Sequence, residues 1–382
     1  AYLASRINAQ NAALRARKVD VIDLGMGNPV DPVAPNVIDA LKKSLDDPRN
    51  HRYSPATGIH ELKEAFARHY SRHFNVTLDA AREIIVSLGS KEAFGHLCLA
   101  ILGPQDACVL PTPAYTPHLY APRIAGATVV SVPMVEENPG AKLIADIKNA
   151  FETTSLRPKF LILNFPHNPT ARTVDLPFFE EIVALARSLK FWVLNDLAYG
   201  HSTFDGYKAP SILQARGAKD VAVEMFTMSK PYSMAGWRIG FLAGNAQLID
   251  ALARIKPYYD YGHFQSLQLA AVVALDSGDD YIREQALIYQ KRRDGLLNGL
   301  EKNGWGRTIR NRGTMFSWQP QPAAFKAQGS IEFCDTLVQQ TGVSFFPGAG
   351  FGIEGEGFVR IALVEPVARI DEACARIGKF LK

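Results

Sequence analysis

The sequence predicts an α/β protein: a larger unit built on a mostly parallel, doubly wound sheet, and a smaller α+β unit. Two observations carry this. Up to about residue 243, short and continuously apolar runs alternate with helix-period segments, as strands buried on both faces alternate with crossover helices. After about Asp276 the pattern changes to one long amphipathic segment followed by short strands and helices. The 382 residues have room for two such units, and 47% apolar content excludes a wholly disordered chain.

The elements follow in order. EIIVS at 83–87 reads as a strand and 91–102 as a helix. ACVL at 107–110, ATVVSV at 127–132 and FLILN at 160–164 are strands, the last followed by a helix over 176–189. FWVLN at 191–195, then 221–227 and 239–243, continue the alternation. Beyond Asp276, a single helix spans 279–303. Strands at 314–318, 343–346 and 358–363 and helices at 331–340 and 369–381 complete the smaller unit.

Charge narrows the function classes. Lys plus Arg total 42 and Asp plus Glu 38, a net +4 spread along the chain rather than gathered on one face. That balance does not point to nucleic acid, yet it leaves room for a few cations around a small anion. Cys98, Cys108, Cys334 and Cys374 share neither metal-type nor redox-type spacing, and the cytoplasm is the expected compartment. No apolar run approaches the ~20 residues of a membrane span. No signal-peptide pattern opens the sequence. The first residue is Ala1, so the sequence is read as lacking its natural beginning.

In open parallel sheets, ligands bind beyond the carboxyl ends of the strands. EIIVS is followed by Gly89-Ser90 and a helix, and ACVL leads to Tyr115. FLILN leads to Asn168, FWVLN ends at Asp196 with Tyr199 three residues on, and the 221–227 strand ends at Ser229-Lys230. Five strands thus send a Gly-Ser turn, an aromatic, an amide, a carboxylate with a phenol, and an amine toward one rim. Each has a plainer reading. Gly89-Ser90 presents free N–H groups and a positive dipole end to a phosphate, or Ser90 simply caps its helix. Lys230 can form a Schiff base with a carbonyl if its pKa is lowered, although a lone Lys is usually solvated. Arg238, eight residues on, offers a planar fork to a phosphate dianion. Asp196 follows an apolar run and needs a partner, either a pyridinium nitrogen or a structural salt bridge. Arg360, inside FVRIAL, is a clamp for a substrate carboxylate or a solvated cation on an edge strand.

Taken together, these residues resemble the class I/II aminotransferases, pyridoxal-phosphate enzymes of fold type I. The resemblance runs from about Val21 to the C-terminus. It rests on SKPYSMAGWRIG around Lys230, NFPHNPT around Asn168, NDLAY around Asp196 and VRIAL around Arg360. GMGNP at Gly25, YSPATGIHELKEA at Tyr53 and GSKEAFGHL at Gly89 support it. Within the family the chain is most similar to the bacterial alanine (glutamate–pyruvate) group, close to LL-diaminopimelate and aspartate aminotransferase-like enzymes. The resemblance implies a large domain over 40–275 and a small domain from 1–39 with 276–382.

It also implies roles. Lys230 would hold pyridoxal 5'-phosphate and shuttle the α-proton. Asp196 would pair with the pyridine nitrogen, steadied by His118. Tyr199 and Asn168 would bond the ring's phenolic oxygen, and Tyr115 would stack on the ring. Ser90, Thr227 and Arg238, with backbone N–H groups at Gly89 and Lys91, would hold the phosphate. Tyr53 would reach the phosphate of a neighbouring subunit, implying a homodimer. Arg360 would bind the substrate carboxylate, assisted by Asn168 and the backbone near Gly27. Tyr115 stands where aspartate aminotransferases stack a Trp, and a second Arg for a side-chain carboxylate has no counterpart.

Other motifs are set aside. Gly350 to Gly355 matches G-x-G-x-x-G, but a strand follows where a dinucleotide fingerprint needs a helix. His69 and His73 share a helix face that reads as solvated, with Arg68 and Arg72 opposing a cation, so no metal site is expected. His96 reads as a core residue.

The expected activity is transfer of the amino group of an L-amino acid, alanine first, to 2-oxoglutarate by a ping-pong route. Aspartate, LL-diaminopimelate and methionine or aromatic donors are the alternatives. A carbon–sulfur β-lyase would use the same cofactor, and a ligand sensor would need an attached DNA-binding segment that the sequence lacks. The expected partners are small amino and 2-oxo acids, with neither nucleic acid nor membrane.

Overall fold

In the computed structural model, which describes residues 3–156 and 158–382, twelve strands among the described residues form three sheets. In chain order they are β1 (Ile22–Asp23), β2 (Ile84–Ser87), β3 (Ala107–Thr112), β4 (Thr128–Pro133), β5 (Pro158–Leu163) and β6 (Trp192–Asp196). Then follow β7 (Ala222–Thr227), β8 (Gly240–Gly244), β9 (Phe316–Pro320), β10 (Val343–Ser344), β11 (Phe346–Pro347) and β12 (Phe358–Ala362).

The largest sheet has the order β2-β8-β7-β6-β5-β3-β4. β8 pairs antiparallel with both neighbours, and every other pairing is parallel. The carboxyl ends of β2, β3, β5, β6 and β7 therefore share one rim. Because β8 runs the other way, its beginning lies at that rim too. Along β5 and β6, neighbouring side chains serve opposite faces. Leu161 and Val193 join one apolar cluster with Phe66 and Phe226. Ile162 and Leu194 join another with Phe94 and Leu97. Both faces are covered, so the runs are continuously apolar rather than alternating. β4, at the sheet edge, is largely exposed, as its polar Thr128 and Ser131 allow.

A third cluster surrounds the other sheets: β11-β12-β9, all antiparallel, and the parallel pair β1-β10. The helix Val367–Phe380 packs there through Ile370, Ala373, Cys374 and Ile377, the i, i+3, i+4, i+7 stripe of an amphipathic helix. Each such large aliphatic side chain contributes roughly 1.5–3 kcal/mol on burial. The N-terminal segment belongs to this layer: Ile22 pairs with Val343, and Leu24 O accepts the Ala362 N–H.

Some sequence expectations need correction. The run 343–346 is two strands, because Val343–Ser344 pairs with β1 while Phe346–Pro347 pairs with β12. An unbroken apolar run carries no mark of a change of partner. The segment 221–227 opens with a helical turn, Ala218–Val221, before β7 begins. The strand at 314–318 starts at Phe316, since Thr314 has φ +74° and its hydroxyl accepts the Phe316 N–H. The helix expected to carry His69 and His73 spans His60–Phe74, whereas Thr116–Ile124 and Gln265–Ser277 have no counterpart in the sequence reading. No helix among the described residues is long and apolar enough to cross a membrane.

Candidate active site

A cavity of about 390 Å³ opens at the rim where the parallel strands end. Its walls include Ser90, Tyr115, Asn168, Asp196, Tyr199 and Lys230, supplied by the ends of five strands or the loops behind them, with Asp196 and Tyr199 both from β6 and its loop. His118, Thr227, Arg238 and Lys91 line it as well.

One end of the cavity is built for an anion. The helix Ser90–Ile101 begins there, and its first N–H groups have no intrahelical acceptor. Gly89 is the cap residue and Ser90 the first helical residue, with no side-chain capping bond, so the plainer reading of Ser90 is not what the fold uses. The Gly89 N–H donates to Ser87 O at 2.7 Å. Gly89 matters for space as well. A Cβ there would lie 2.3 Å from Nη2 of Arg238, and φ is +87°. A Cβ at Gly240 would lie 2.3 Å from the Ser90 backbone nitrogen. The two glycines let the start of β8, the helix N-terminus and the Arg238 guanidinium close on one point. Nearby, the Thr227 hydroxyl donates to Ser229 Oγ at 2.9 Å and accepts the Ser229 N–H. A cation, hydroxyls and a helix N-terminus together suit a phosphate dianion.

The cavity wall also carries a carboxylate. Asp196 is buried at the end of β6. His118 Nε2 lies 3.1 Å from its Oδ2, and the Ala198 N–H donates to its Oδ1 at 3.1 Å. A carboxylate only accepts, so the His118 proton sits on Nε2. Asn164 holds the backbone here: its Nδ2 donates to Asp196 O at 2.6 Å, and its Oδ1 accepts the Asn168 N–H at 2.9 Å. Asn164 was not singled out in the sequence, although an amide closing the apolar run FLILN is the same signal that marked Asp196.

Lys230 is half-buried, and its Nζ donates to Gly27 O at 2.8 Å. Burial pushes its pKa down to about 8, helped by the nearby Arg360 and Arg238 cations and opposed by Asp196. Burial also drives the Tyr199 phenol well above its ordinary range, so it remains a hydrogen-bonding hydroxyl. The Tyr115 ring stands edge-on to His118 at 5.3 Å.

Arg360 occupies the middle strand of its sheet and is buried, which removes the solvated-edge alternative. Its Nη1 donates to Asn168 Oδ1 at 2.9 Å and its Nη2 to Gly25 O at 3.0 Å. Phe316, Phe351 and Phe346 flank the guanidinium at 4.0, 4.7 and 5.0 Å from their ring centres. A cation in such a low-dielectric cage suits a carboxylate.

Tyr53 is not brought to this cavity: it is 88% exposed, with its ring 5.0 Å from that of Tyr261. The glycine-rich run from Gly350 to Gly355 lies in short 3-10 turns ahead of β12, with no helix behind it. His69 is fully buried rather than on a solvated face, because the helix His60–Phe74 turns it toward Phe66 and Phe226. His96 is half-buried, paired with Glu92 and stacked on Tyr259 at 4.3 Å, rather than a core residue.

The profile of the class I and II aminotransferases matches residues 19–377. The chain belongs to that family. It is 45% identical over 370 residues to the glutamate–pyruvate aminotransferase AlaC of Escherichia coli, covering 97% of this chain and 89% of the relative. It is 38% identical to the LL-diaminopimelate aminotransferase of Moorella thermoacetica, covering 100% and 96%. Among solved structures, substrate-bound BacF of Bacillus subtilis superposes with a TM-score of 0.91 at 30% identity, over 100% and 95% of the two chains. A probable N-succinyldiaminopimelate aminotransferase of Thermus thermophilus gives 0.89 at 33%, over 98% of each.

This aminotransferase is thus an α/β enzyme of fold type I and depends on pyridoxal phosphate. The residues present fit that cofactor. The cradle between Gly89, Ser90 and Arg238 admits no added Cβ, an amine of lowered pKa faces the cavity, and a buried carboxylate stands on its wall.

Proposed function

We propose that the enzyme moves the amino group of L-alanine to 2-oxoglutarate, with Lys230, Asp196 and Tyr199 as its catalytic residues. One observation carries the site assignment: Lys230, the Asp196–His118 pair and the Gly89-Ser90-Arg238 anion cradle meet at a single cavity. Bound there, pyridoxal phosphate supplies a carbonyl for amine exchange and a ring that withdraws electrons from the substrate's α-carbon.

The chain's own groups do the rest. Ser90, Thr227, Arg238 and the Lys91 N–H hold the phosphate. Asp196 would pair with the ring nitrogen and hold its proton, and His118 and the Ala198 N–H fix the carboxylate's direction. The Tyr199 hydroxyl and the Asn168 amide nitrogen would hold the phenolic oxygen; Asn168 Oδ1 already serves Arg360, which leaves Nδ2 as the donor. Tyr115, on the cavity wall, would cover one face of the ring. Lys230 Nζ takes the α-proton and returns it, a task suited to an amine whose pKa lies near 8. Arg360 and the backbone at Gly27 orient the substrate carboxylate.

The alanine donor is supported by the 45% identity to a glutamate–pyruvate aminotransferase. LL-diaminopimelate is the second reading, supported by several relatives of that name at 36–40% identity. The purified yellow protein, mixed with single amino acids, separates them. Bleaching of its visible absorbance by alanine and glutamate supports the first reading. Bleaching by LL-diaminopimelate but not alanine replaces it with the second.

We also place a large domain over 40–275 and a small domain from 1–39 with 276–382; most of the two main apolar clusters falls on either side of that division, with Val37 and Ile282 packing into the first and Tyr199 and Phe204 into the second. A homodimer is part of the reading. Tyr53, Tyr258 and Tyr261 are exposed large aromatics close to one another in sequence or space, as an interface core requires. Four unpaired, buried cysteines agree with the reducing cytoplasm.

A further inference from the structure

Outside the active-site cavity, three imidazoles and a carboxylate converge. They come from the helix His60–Phe74, the loop after β6 and the first turn of the helix Asp279–Lys302. His69 and His73 stand one turn apart on the first helix. His201 follows β6 by five residues, and Asp279 opens the helix Asp279–Lys302. His69 Nε2 lies 2.9 Å from His201 Nε2, and His73 Nε2 lies 3.0 Å from Asp279 Oδ1. One ligand atom from each of His69, His73 and Asp279 can be chosen so that all lie within 4.8 Å of one another. A separate cavity of about 540 Å³, lined by His73, His201 and Asp279, gives access.

The arrangement has the chemistry of a transition-metal site. Two ring nitrogens facing at 2.9 Å cannot both carry protons, so at least one lone pair points into the cluster. Neutral imidazoles with one carboxylate are the donor set that zinc-class cations prefer. Tetrahedral Zn–N bonds of about 2.0–2.1 Å space neighbouring ligand atoms roughly 3.3–3.5 Å apart. The His69–His201 pair must open by roughly half an ångström and the others draw in. The Tyr232 hydroxyl, 3.4 Å from His69 Nδ1, stands where an outer partner of a metal-bound imidazole belongs.

Arg72 is the opposing charge. Its bonds to Asp279 are long, 3.2 and 3.3 Å, whereas its bond to Leu275 O is 2.6 Å. The guanidinium can keep the carbonyl and yield the carboxylate. The second cluster of this kind, Glu92, His96 and Asp260, is different. There the buried Lys256 ammonium already sits 2.7 Å from Asp260 and 3.5 Å from Glu92.

We propose that His69, His73 and Asp279, with His201 closing the set, bind one divalent transition metal of the zinc class. The ion ties the loop behind Tyr199 to two helices and stabilises the folded chain by mass action.

The test is calorimetric titration of the chelator-treated, cofactor-loaded protein with Zn²⁺, paired with thermal melts. One equivalent per chain and a raised melting midpoint are expected. His73→Ala and Asp279→Asn should each weaken binding by at least about tenfold and remove the melting shift. His96→Ala should leave both unchanged. Asp279→Asn preserves shape, and metal-free melts show whether either variant has lost its fold. No binding by the wild type, or equal affinity in a folded Asp279→Asn variant, overturns the proposal.

Discussion

His118 Nε2 donates to Asp196 Oδ2 at 3.1 Å, and both side chains are buried. The pair joins the helix Thr116–Ile124 to the end of β6 and sets the direction of the carboxylate. A hydrogen bond to a charged group contributes about 1.5–3 kcal/mol, so His118→Phe should lower kcat/KM roughly 10- to 100-fold. His118→Asn, which keeps a donor, should recover part of it. Steady-state kinetics of both variants check this; equal losses would show that the hydrogen bond is not what matters.

The Arg360 clamp predicts a different kinetic signature. Lys in its place keeps the charge but loses the planar fork bonded to Asn168 and Gly25. Arg360→Lys should raise KM for the amino acid about 10- to 100-fold while cofactor affinity stays near the wild-type value. Cofactor titration and initial rates separate the two effects.

Gly89 tests the anion cradle. Its φ of +87° and the 2.3 Å approach of Arg238 leave no place for a methyl group. Backbone strain of this kind costs on the order of 1–3 kcal/mol. Gly89→Ala should weaken cofactor binding by at least about tenfold, measured by titrating the cofactor-free variant. An unchanged dissociation constant would place the phosphate elsewhere.

Lys230 gives a pH prediction. Burial holds its pKa at about 8 against an ordinary 10.5. Only the neutral amine attacks a carbonyl, so reconstitution of the cofactor-free protein should speed up as pH rises through 8 and level off above it. The unfolded chain keeps this proton up to about pH 10.5, so the cofactor-free protein gains stability from this group as pH rises from 8 to 10.5. A reconstitution midpoint near 10 would mean that the amine is not buried as described.

Much of this site was legible in the sequence because a parallel sheet gathers its strand ends on one rim. Lys230, Asp196, Asn168 and Tyr115 each follow an apolar run, and all four line one cavity. Arg238 reaches the same place for a reason the sequence did not display: β8 runs antiparallel, so its beginning, not its end, meets the rim. Asn164 was hidden as the last letter of a strand, since its work is on backbone atoms that no side-chain pattern marks. His69 looked solvated beside Arg68 and Arg72, but each residue of a helix is rotated about 100° from the last, so His69 faces the core while Arg68 and Arg72 are exposed. The break between β10 and β11 depends on which strand lies alongside, and that is decided far away in the chain.

Glu224 illustrates a buried group that the chemistry does not use. It is fully buried in β7 and accepts from Tyr70, Asn195, Ser211 and the Ile212 N–H. Burial nonetheless pushes its pKa up to about 7 from an ordinary 4.5, with those donors opposing. The folded state then binds more protons than the unfolded chain between these values, so this group's contribution to stability falls as pH rises from 4.5 to 7. Glu224→Gln should flatten that slope, removing a change of at most about 3 kcal/mol. Denaturant melts across this range measure it, and parallel curves for the two proteins would contradict the assignment.

The central claim is that Lys230 Nζ is the nitrogen that carries the cofactor. Borohydride reduction of the purified yellow protein, followed by proteolysis and peptide mass mapping, tests it most directly. The cofactor's mass should appear on the peptide containing Ser229-Lys230-Pro231 and on no other. A reduced adduct on a different lysine, with Lys230 unmodified, would contradict the account.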